Sequence, residues 1–257
     1  MNSTALLIDN SNPSVCVLTL NRPKVHNAFD EQLLAELNQA LDTIKHNDTI
    51  RLVQLRATGK HFSAGADLRW MQKMIDYSFE ENLADANAFS SVLQSLNTLH
   101  KPTIAIVQGC VYGGGLGLLA CCDIVVATDT SRYCFSETQL GLAPAVISPF
   151  VIKAIGLRHA RRFFLTAELF SAAQAQNMGL ISEVYAEKDI ELHVDALCKK
   201  LLSTAPHASV ATKNLLHELD GLSSEKAQHA FTAELIARLR TTEEAQDRLK
   251  AFLEKRQ

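Results

Sequence analysis

A run of three glycines is the first feature of the sequence that points to chemistry. Gly113, Gly114 and Gly115 stand between an apolar segment typical of a buried strand and an apolar segment typical of a helix. Glycines let a ligand approach the backbone closely, and the free N–H groups at a helix start carry the positive end of the helix dipole. The run therefore predicts a site that holds developing negative charge. For a glycine triplet taken alone, a tight turn is the more ordinary explanation, and the run fits neither a Walker P-loop nor a dinucleotide fingerprint.

Residues 61–68 are a second candidate, because small residues dominate the segment HFSAGADL. The segment follows a predicted strand and indicates a bend that presents backbone N–H groups in the same way as the glycine run. A simple loop is the more ordinary explanation of this bend taken alone.

The third candidate is a carboxylate. Glu137 lies in the stretch 133–144, which is otherwise rich in apolar residues. Burial among apolar residues raises the pKa of a carboxyl group towards neutrality, where general acid–base catalysis is most effective. For any single glutamate, a surface position or a helix cap is the more common role.

The elements that must position these candidates alternate between strands and helices. Strands are predicted at residues 15–20, 52–55, 103–107 and 124–127. Asp30 is the predicted N-cap of one helix, and Ser78 with Glu81 forms a predicted capping box for a second. This alternation indicates an α/β domain.

The second half of the chain is predicted to be helical. Helices are predicted around residues 150–166, 171–178, 189–203, 207–219 and 224–240. Thr241 and Glu244 form a predicted capping box for a last helix. We therefore divide the chain into a core, residues 1–190, and a C-terminal helical region, residues 191–257, that packs on the core or on a neighbouring subunit.

Composition limits the class of protein. The chain has 257 residues, of which 47% are hydrophobic and 21% charged, which suits one sizeable globular domain. A net charge of −3 argues against a nucleic-acid-binding protein. The six cysteines form no metal-binding pattern, and the apolar stretches are far shorter than the roughly 20 residues of a membrane span. We expect a cytoplasmic protein with reduced thiols, no bound metal and no membrane segment.

Four ordered segments of the sequence resemble the crotonase (enoyl-CoA hydratase/isomerase) superfamily. They are LNRPKVHNA at 20–28, FSAGAD at 62–67, YGGG at 112–115 and SETQLGLAP at 136–144. The resemblance runs nearly from end to end. It implies a spiral of repeated ββα units and a C-terminal helical region used in assembly as a homotrimer or a dimer of trimers. It also implies an acyl-CoA thioester substrate, with no cofactor apart from the coenzyme A that the substrate carries.

The resemblance also implies roles for individual residues. The oxyanion hole is expected at the backbone N–H groups of Ala66 and Gly114, and Glu137 matches a catalytic carboxylate. One oxyanion-hole donor stabilises a transition state by roughly 3–4 kcal/mol, and a side chain at Gly114 is expected to crowd the thioester. The other residues expected around the substrate are Lys24, Val25, Ala28, Ala64, Asp67, Leu68, Tyr112, Gly117 and Leu142.

Gly117 departs from the pattern of the superfamily, whose two-glutamate hydratases carry a glutamate at this position, facing the β-carbon of the substrate. One of the two expected carboxylates is therefore absent. The group that holds the attacking water is then Glu137 itself, a polar neighbour such as Tyr112, or a distal carboxylate of the substrate. We also expect the glycine to leave room beside the β-carbon for a branched acyl group.

Two longer stretches, residues 59–72 and 136–168, resemble the bacterial branch that hydrates 3-methylglutaconyl-CoA in leucine breakdown or isohexenylglutaconyl-CoA in terpene breakdown. We expect 3-methylglutaconyl-CoA as the substrate. Trp70 is expected either to line the acyl pocket or to pack in the core. A distal carboxylate requires a cation, and the candidates are Arg69, Lys73, Arg158 and Arg161.

Two other functions remain open from the sequence. An enoyl-CoA isomerase needs only one carboxylate to move a proton between two carbons, which suits the glycine at position 117. A non-catalytic binding protein on the same scaffold, for RNA or for a protein partner, is the third hypothesis, although the slightly acidic charge balance does not favour RNA.

Overall fold

The computed structural model describes residues 4–255, which form nine strands and ten α-helices. The strands are β1 (Leu6–Asp9), β2 (Val15–Leu20), β3 (Leu52–Ala57), β4 (Thr103–Val107), β5 (Cys110–Tyr112), β6 (Ile124–Thr128), β7 (Arg132–Cys134), β8 (Phe170–Ser171) and β9 (Glu183–Tyr185). The helices are α1 (Glu31–Lys45), α2 (Leu68–Met74), α3 (Phe79–Asn97), α4 (Gly114–Cys121), α5 (Ser148–Thr166), α6 (Ala172–Asn177), α7 (Ile190–Ser203), α8 (Pro206–Gly221), α9 (Glu225–Arg240) and α10 (Glu243–Glu254). Two short 3-10 helices span Pro23–Val25 and Glu137–Leu140.

The strands form two sheets. Six strands lie in the order β1-β2-β3-β4-β6-β9, and every neighbouring pair in this sheet is parallel except β1 and β2. Three shorter strands form a second sheet in the order β5-β7-β8. The chain passes from β4 in the large sheet to β5 in the small sheet and then into α4, and it repeats this path through β6, β7 and α5. This repetition confirms the predicted α/β fold with ββα units.

Two of the three predicted helix caps are present. The side chain of Asp30 accepts a hydrogen bond from Leu33 N–H at the start of α1. Ser78 and Glu81 form the capping box of α3, with distances of 3.2 and 2.8 Å. These bonds satisfy N–H groups that have no partner within the first helical turn.

The predicted capping box of the last helix is wrong. Thr242, not Thr241, caps α10 by accepting from Ala245 N–H. Glu244 does not reach back to its own helix, because its carboxylate accepts from His207 and Ala208 N–H at the start of α8. A contact between two helices therefore replaces the local motif.

The two faces of the large sheet carry separate apolar clusters. The larger cluster lies between the sheets and helices α1, α3, α4 and α5. The smaller cluster is covered by α7, whose Ile190, Val194 and Cys198 pack on Val15 and Leu52 of the opposite face. Helix α7, which begins at the predicted boundary of the C-terminal region, thus packs as part of the core.

Helices α8, α9 and α10 lie outside this core. The one side chain of these helices that is buried within residues 4–255 is Lys213. Its ammonium donates to Asp123 Oδ2 at 2.7 Å and to the backbone oxygen of Lys101 at 2.9 Å. Large apolar side chains on the three helices, including Leu216, Ile236 and Leu249, are exposed. Within the part of the chain that the structure describes, no helix is long and apolar enough to cross a membrane.

Candidate active site

The glycine run forms the start of helix α4. Gly113 is the N-cap, with φ of +48°, a backbone conformation that strongly favours glycine. Its N–H donates to Cys134 O at 3.0 Å, which ties the turn to β7. Gly114 is the first residue of the helix, and its N–H has no hydrogen-bond partner within residues 4–255. This N–H is therefore available to an oxygen of a ligand.

The bend at residues 63–67 leaves a second N–H available. Phe29 and Ala66 form an isolated parallel bridge, in which Phe29 N–H donates to Gly65 O and Asp67 N–H donates to Phe29 O. In such a bridge the N–H of the central residue points away from the partner strand. Accordingly, Ala66 N–H has no hydrogen-bond partner among the described residues.

The bend and the glycine run lie side by side. Ser63 and Val111 form a parallel bridge, in which Ser63 N–H donates to Cys110 O and Tyr112 N–H donates to Ser63 O at 2.9 Å. Gly65 has φ of +86°, and a Cβ atom at this position would lie 3.3 Å from Tyr112 O. The two available N–H groups thus stand on neighbouring backbone segments, which is the arrangement that an oxyanion hole requires.

A buried polar network holds this bend in place. The side chain of Asn27, which is fully buried, accepts from Arg22 N–H and donates to the backbone oxygens of Thr58 and His61. Ser63 Oγ donates to Asn27 O at 3.0 Å and accepts from Gly65 N–H at 3.2 Å. Each buried polar group of the network is satisfied, which is the condition under which such a network fixes one geometry. Both residues belong to the sequence motifs at 20–28 and 62–67, but the sequence assigned no role to either side chain.

Glu137 faces the glycine turn. It opens the short 3-10 helix, and its Oε1 would lie 3.2 Å from a Cβ atom added at Gly113. Its other oxygen, Oε2, is buried and has no hydrogen-bond partner within residues 4–255. Burial raises the pKa of the Glu137 carboxyl above its ordinary value. A buried carboxyl with an unpaired oxygen and a raised pKa, beside the glycine turn that precedes Gly114 N–H, suits proton transfer to or from a bound substrate.

Gly117 does not leave the open space that the sequence predicted. A Cβ atom at this position would lie 3.0 Å from Ile147 Cβ, closer still to Ile147 Cγ2, and 3.3 Å from Leu93 Cδ2. Ile147 is buried at the start of α5 and fills the position that a glutamate would need. The expectation of free volume beside Gly117 is therefore wrong, because an apolar side chain from another element occupies it.

Gly114 is also closely packed. A Cβ atom at this position would lie 2.9 Å from Phe89 Cζ on α3 and 3.4 Å from Phe29 Cε2. The rings of Phe29 and Phe89 stand 5.6 Å apart. A larger residue at position 114 would therefore have to displace the Phe89 ring, whether or not a thioester is bound.

The other predicted substrate residues surround the bend and the turn. Lys24, Val25, Ala64, Leu68 and Leu142 are exposed, and Ala28 is buried. Their contacts with a substrate remain predictions.

Asp67 and Tyr112 have more specific surroundings. Asp67 accepts from Arg69 N–H at the start of α2 and forms an ion pair with Arg22 Nη2 at 2.9 Å. Burial alone would raise the pKa of Asp67, but these hydrogen bonds lower it below its ordinary value. The Asp67 carboxylate is thus engaged within the protein. Tyr112 is half-buried, and burial raises the pKa of its hydroxyl.

Trp70 packs in the core rather than standing free at the surface, and it makes a contact that sequence reasoning missed. Its indole Nε1 donates to Asp85 Oδ1 at 3.0 Å, joining α2 to α3. Of the four candidate cations, Arg69, Arg158 and Arg161 are exposed, and Lys73 pairs with Glu31 at 3.4 Å. Within residues 4–255, no group of three or more metal-ligating side chains comes together.

Comparison with known proteins identifies the family of this chain. A model of the enoyl-CoA hydratase/isomerase family matches residues 10–257. The crystal structure of an enoyl-CoA hydratase from Shewanella pealeana is 42% identical and has a TM-score of 0.93, with 98% of this chain and 94% of the other covered. An enoyl-CoA hydratase/isomerase from Marinobacter aquaeolei is 31% identical, with a TM-score of 0.92 and coverage of 98% and 97%. The trans-2-decenoyl-acyl-carrier-protein isomerase of Streptococcus mutans is 27% identical, over 97% of this chain and 95% of its own. This chain belongs to the enoyl-CoA hydratase/isomerase family, within the crotonase superfamily.

Proposed function

We propose that this protein is a hydro-lyase that adds water across the C2–C3 double bond of an α,β-unsaturated acyl-CoA, with 3-methylglutaconyl-CoA as the substrate. The observation that carries the proposal is the buried, unpaired oxygen of Glu137 next to the Gly113–Gly114 turn. Family membership supports an acyl-CoA ligand.

The mechanism follows from the positions of these groups. The thioester oxygen accepts hydrogen bonds from Ala66 N–H and Gly114 N–H. Water adds to the β-carbon, the π electrons move towards the thioester, and the resulting enolate oxygen is stabilised by the two N–H groups. Glu137 then gives its proton to the α-carbon, and the proton released by water passes to a base. The raised pKa of Glu137 keeps this proton available closer to neutral pH.

The branched substrate is supported by two observations. Residues 59–72 and 136–168 resemble the branch of the superfamily that acts on branched glutaconyl thioesters. In addition, the position that carries a glutamate in two-carboxylate relatives presents Ile147 over Gly117 here. An apolar surface at this position favours an alkyl substituent on the β-carbon over a polar one.

A panel of enoyl-CoA thioesters tests the proposal. Each thioester, with and without a 3-methyl group and with and without a distal carboxylate, is incubated with the enzyme, and the products are analysed by mass. We expect a gain of one water and the highest kcat/KM with 3-methylglutaconyl-CoA. A higher kcat/KM with crotonyl-CoA would rule out the branched substrate, and products of unchanged mass would rule out hydration.

An enoyl-CoA isomerase is the second candidate, and the packing around Gly117 specifically favours it. Isomerisation moves one proton between two carbons and needs no second group to hold water, so a single carboxylate at Glu137 suffices. The same panel separates the two functions, because isomerisation shifts the double bond without changing the product mass.

We also propose that the protein assembles as a homotrimer or a dimer of trimers in the cytoplasm. The exposed apolar side chains of α8, α9 and α10 support assembly, because large exposed apolar patches mark interaction surfaces. The free cysteines within residues 4–255 suit a reducing compartment. Light scattering at micromolar concentration is expected to give three or six times the 28.2 kDa chain mass, and a monomer would contradict the assembly.

A further inference from the structure

We propose that a cleft between the large sheet and the C-terminal helices binds a small organic carboxylate. This junction cleft has a volume of about 260 Å³. It lies between the residues that precede β3 and β4 and the turn that joins α7 to α8, residues 204–206. It is separate from the oxyanion hole, and its ligand does not depend on which reaction the enzyme catalyses.

The junction cleft lies at the opposite end of the large sheet from the oxyanion hole. Arg51 comes immediately before β3, whereas the bend at residues 63–67 follows the carboxyl end of the same strand. Pro102 likewise lines the cleft and precedes β4. The six residues of β3 span roughly 17–20 Å, so a small molecule in the cleft does not reach Ala66 or Gly114.

Arg51 supplies the observation that points to an anion. Its side chain lines the junction cleft, and its Nε atom is buried without a hydrogen-bond partner within residues 4–255. Its Nη2 donates to Thr204 O at 2.9 Å, which fixes the guanidinium against the end of α7. A buried donor without a partner is costly, and the guanidinium fork pairs best with carboxylate or phosphate oxygens. The unpaired Nε–H therefore predicts an oxyanion in the cleft.

The charges around the junction cleft suit a ligand with a single negative charge. Arg51 and Lys101 line it, and Asp48 is the one carboxylate among the described residues of its wall. The Lys101 ammonium donates to two backbone oxygens at and just beyond the end of α1, which holds it in place. Burial and the charge of Lys101 lower the pKa of His100 below 6.5, so its imidazole adds no full charge at neutral pH. Two cations against one carboxylate favour a monoanion over a dianion.

The start of α8 does not bind this anion. The N–H groups of His207 and Ala208 already donate to the carboxylate of Glu244 on α10. Pro206, the first residue of α8, has no N–H to offer. The anion is therefore bound by side chains of the cleft, with Arg51 as the principal donor.

Apolar side chains form much of the remaining wall and select an organic ligand. They are Ile50, Pro102, Leu201, Pro206 and Val210. A water molecule takes about 30 Å³ in the liquid, so the cleft has several times the room that a single water needs. A carboxylate on a short alkyl chain satisfies the cation and buries apolar surface at once, whereas an inorganic ion leaves the apolar wall uncovered.

Titration calorimetry with hexanoate tests the junction cleft, in the presence of saturating butyryl-CoA to occupy the active site. Acetate carries the charge without the chain, hexanol carries the chain without the charge, and inorganic phosphate is the alternative oxyanion. Each is expected to bind at least about tenfold more weakly than hexanoate. Hydrogen exchange locates the ligand, and we expect hexanoate to slow exchange in the first turns of α8 and around Arg51.

Arg51→Gln removes the cation and is expected to weaken hexanoate binding at least about tenfold, with kcat for an enoyl-CoA changed by less than about threefold. Arg248→Gln is the matched control. Arg248 also donates to a backbone oxygen at the end of α7, that of Ser203, but it is exposed and lies outside the wall of the cleft. This variant is expected to bind hexanoate within about twofold of the wild type. Thermal unfolding shows whether each variant retains its fold.

Four outcomes would overturn the proposal. They are no binding of hexanoate to the wild type, equal binding of hexanol, tighter binding of phosphate, and unchanged hexanoate affinity in folded Arg51→Gln. If Arg51→Gln does not fold, hydrogen exchange of the wild type decides, because protection by hexanoate that leaves α8 and the segment around Arg51 unchanged would place the ligand elsewhere. None of the binding measurements uses an enoyl-CoA reaction, so failure of the hydratase function leaves the result intact.

Discussion

Ile147 occupies the space that any side chain at position 117 would need. It reaches this position from the start of α5, thirty residues further along the chain, and Leu93 on α3 contacts the same position from another direction. The absence of a glutamate at 117 is therefore matched by a compensating apolar residue. Substitutions at positions 117 and 147 are therefore expected to have non-additive effects on the free energy of unfolding.

Gly117→Ala tests this coupling. Overpacking of a filled core costs about 1–3 kcal/mol, so the melting temperature is expected to fall by several degrees. When Ile147→Ala is already present, Gly117→Ala is expected to lower the free energy of unfolding by at least about 0.5 kcal/mol less than in the wild type. A double-mutant cycle based on denaturant unfolding measures this difference. Gly221→Ala, with no atom within 4 Å of the added Cβ, serves as the neutral control. Additive effects at 117 and 147 would show that the two residues do not compete for one space.

Glu137→Gln is expected to lower kcat by about 10²–10⁴-fold while thioester binding persists, because the amide keeps the shape of the side chain but does not exchange the proton. Isothermal titration with a saturated acyl-CoA measures binding, and steady-state kinetics measure turnover. Glu187→Gln, a change of the same kind at an exposed position, is the control. A kcat equal to that of the wild type would remove Glu137 from the mechanism.

The burial of Glu137 also predicts how stability depends on pH. Its pKa is higher in the folded protein than the ordinary value of 4.5, so its contribution to folding is complete below that value and is lost as the pH rises through the folded-state pKa. Glutamine does not ionise. The melting temperature of Glu137→Gln minus that of the wild type is therefore expected to increase from acidic to mildly alkaline pH, and a difference that shrinks as pH rises would contradict the burial of an ionised carboxylate.

Gly114→Pro and Gly114→Ala together test the oxyanion hole. Both variants place a Cβ atom against Phe89, but only proline removes the N–H, and proline is tolerated in the first position of a helix. Relative to the alanine variant, the proline variant is expected to lose about 10²–10³-fold in kcat. Equal activities in two variants of similar melting temperature would show that Gly114 N–H does not bind the thioester oxygen.

The long elements of the fold were predictable from the sequence, whereas the short ones were not. The strands β2 and β4 have the predicted bounds, because their runs of β-branched and apolar residues leave few alternatives. The strands β5 and β7 have three residues each and exist through their pairing with each other, for which no local pattern gives a signal. The start of α10 was misplaced by one residue because Glu244 bonds to another helix.

In the site as well, features with a local sequence pattern were predictable and features formed by long-range contacts were not. The Gly113–Gly115 run and Glu137 carry local patterns and a family resemblance, and the structure brings both to one turn. By contrast, the contact between Trp70 and Asp85 and the contact of Ile147 with Gly117 join separate helices. Such contacts arise from packing at long separation in sequence, which periodicity and capping rules do not describe.

In the frame that holds Ala66 N–H, the side chains of Asn27, Ser63 and Asp67 keep one charge state near neutral pH. Asn27 and Ser63 do not titrate, and Asp67 keeps its charge because its pKa is lowered. Burial, with the charges of His26 and Lys60, lowers the pKa of His61 below 6.5, so its neutral imidazole keeps accepting from Cys110 N–H. The oxyanion hole therefore keeps its shape while the Glu137 carboxyl near it gains and loses its proton. The pH–rate profile of this enzyme is therefore expected to report on Glu137 and not on Asn27, Ser63 or Asp67.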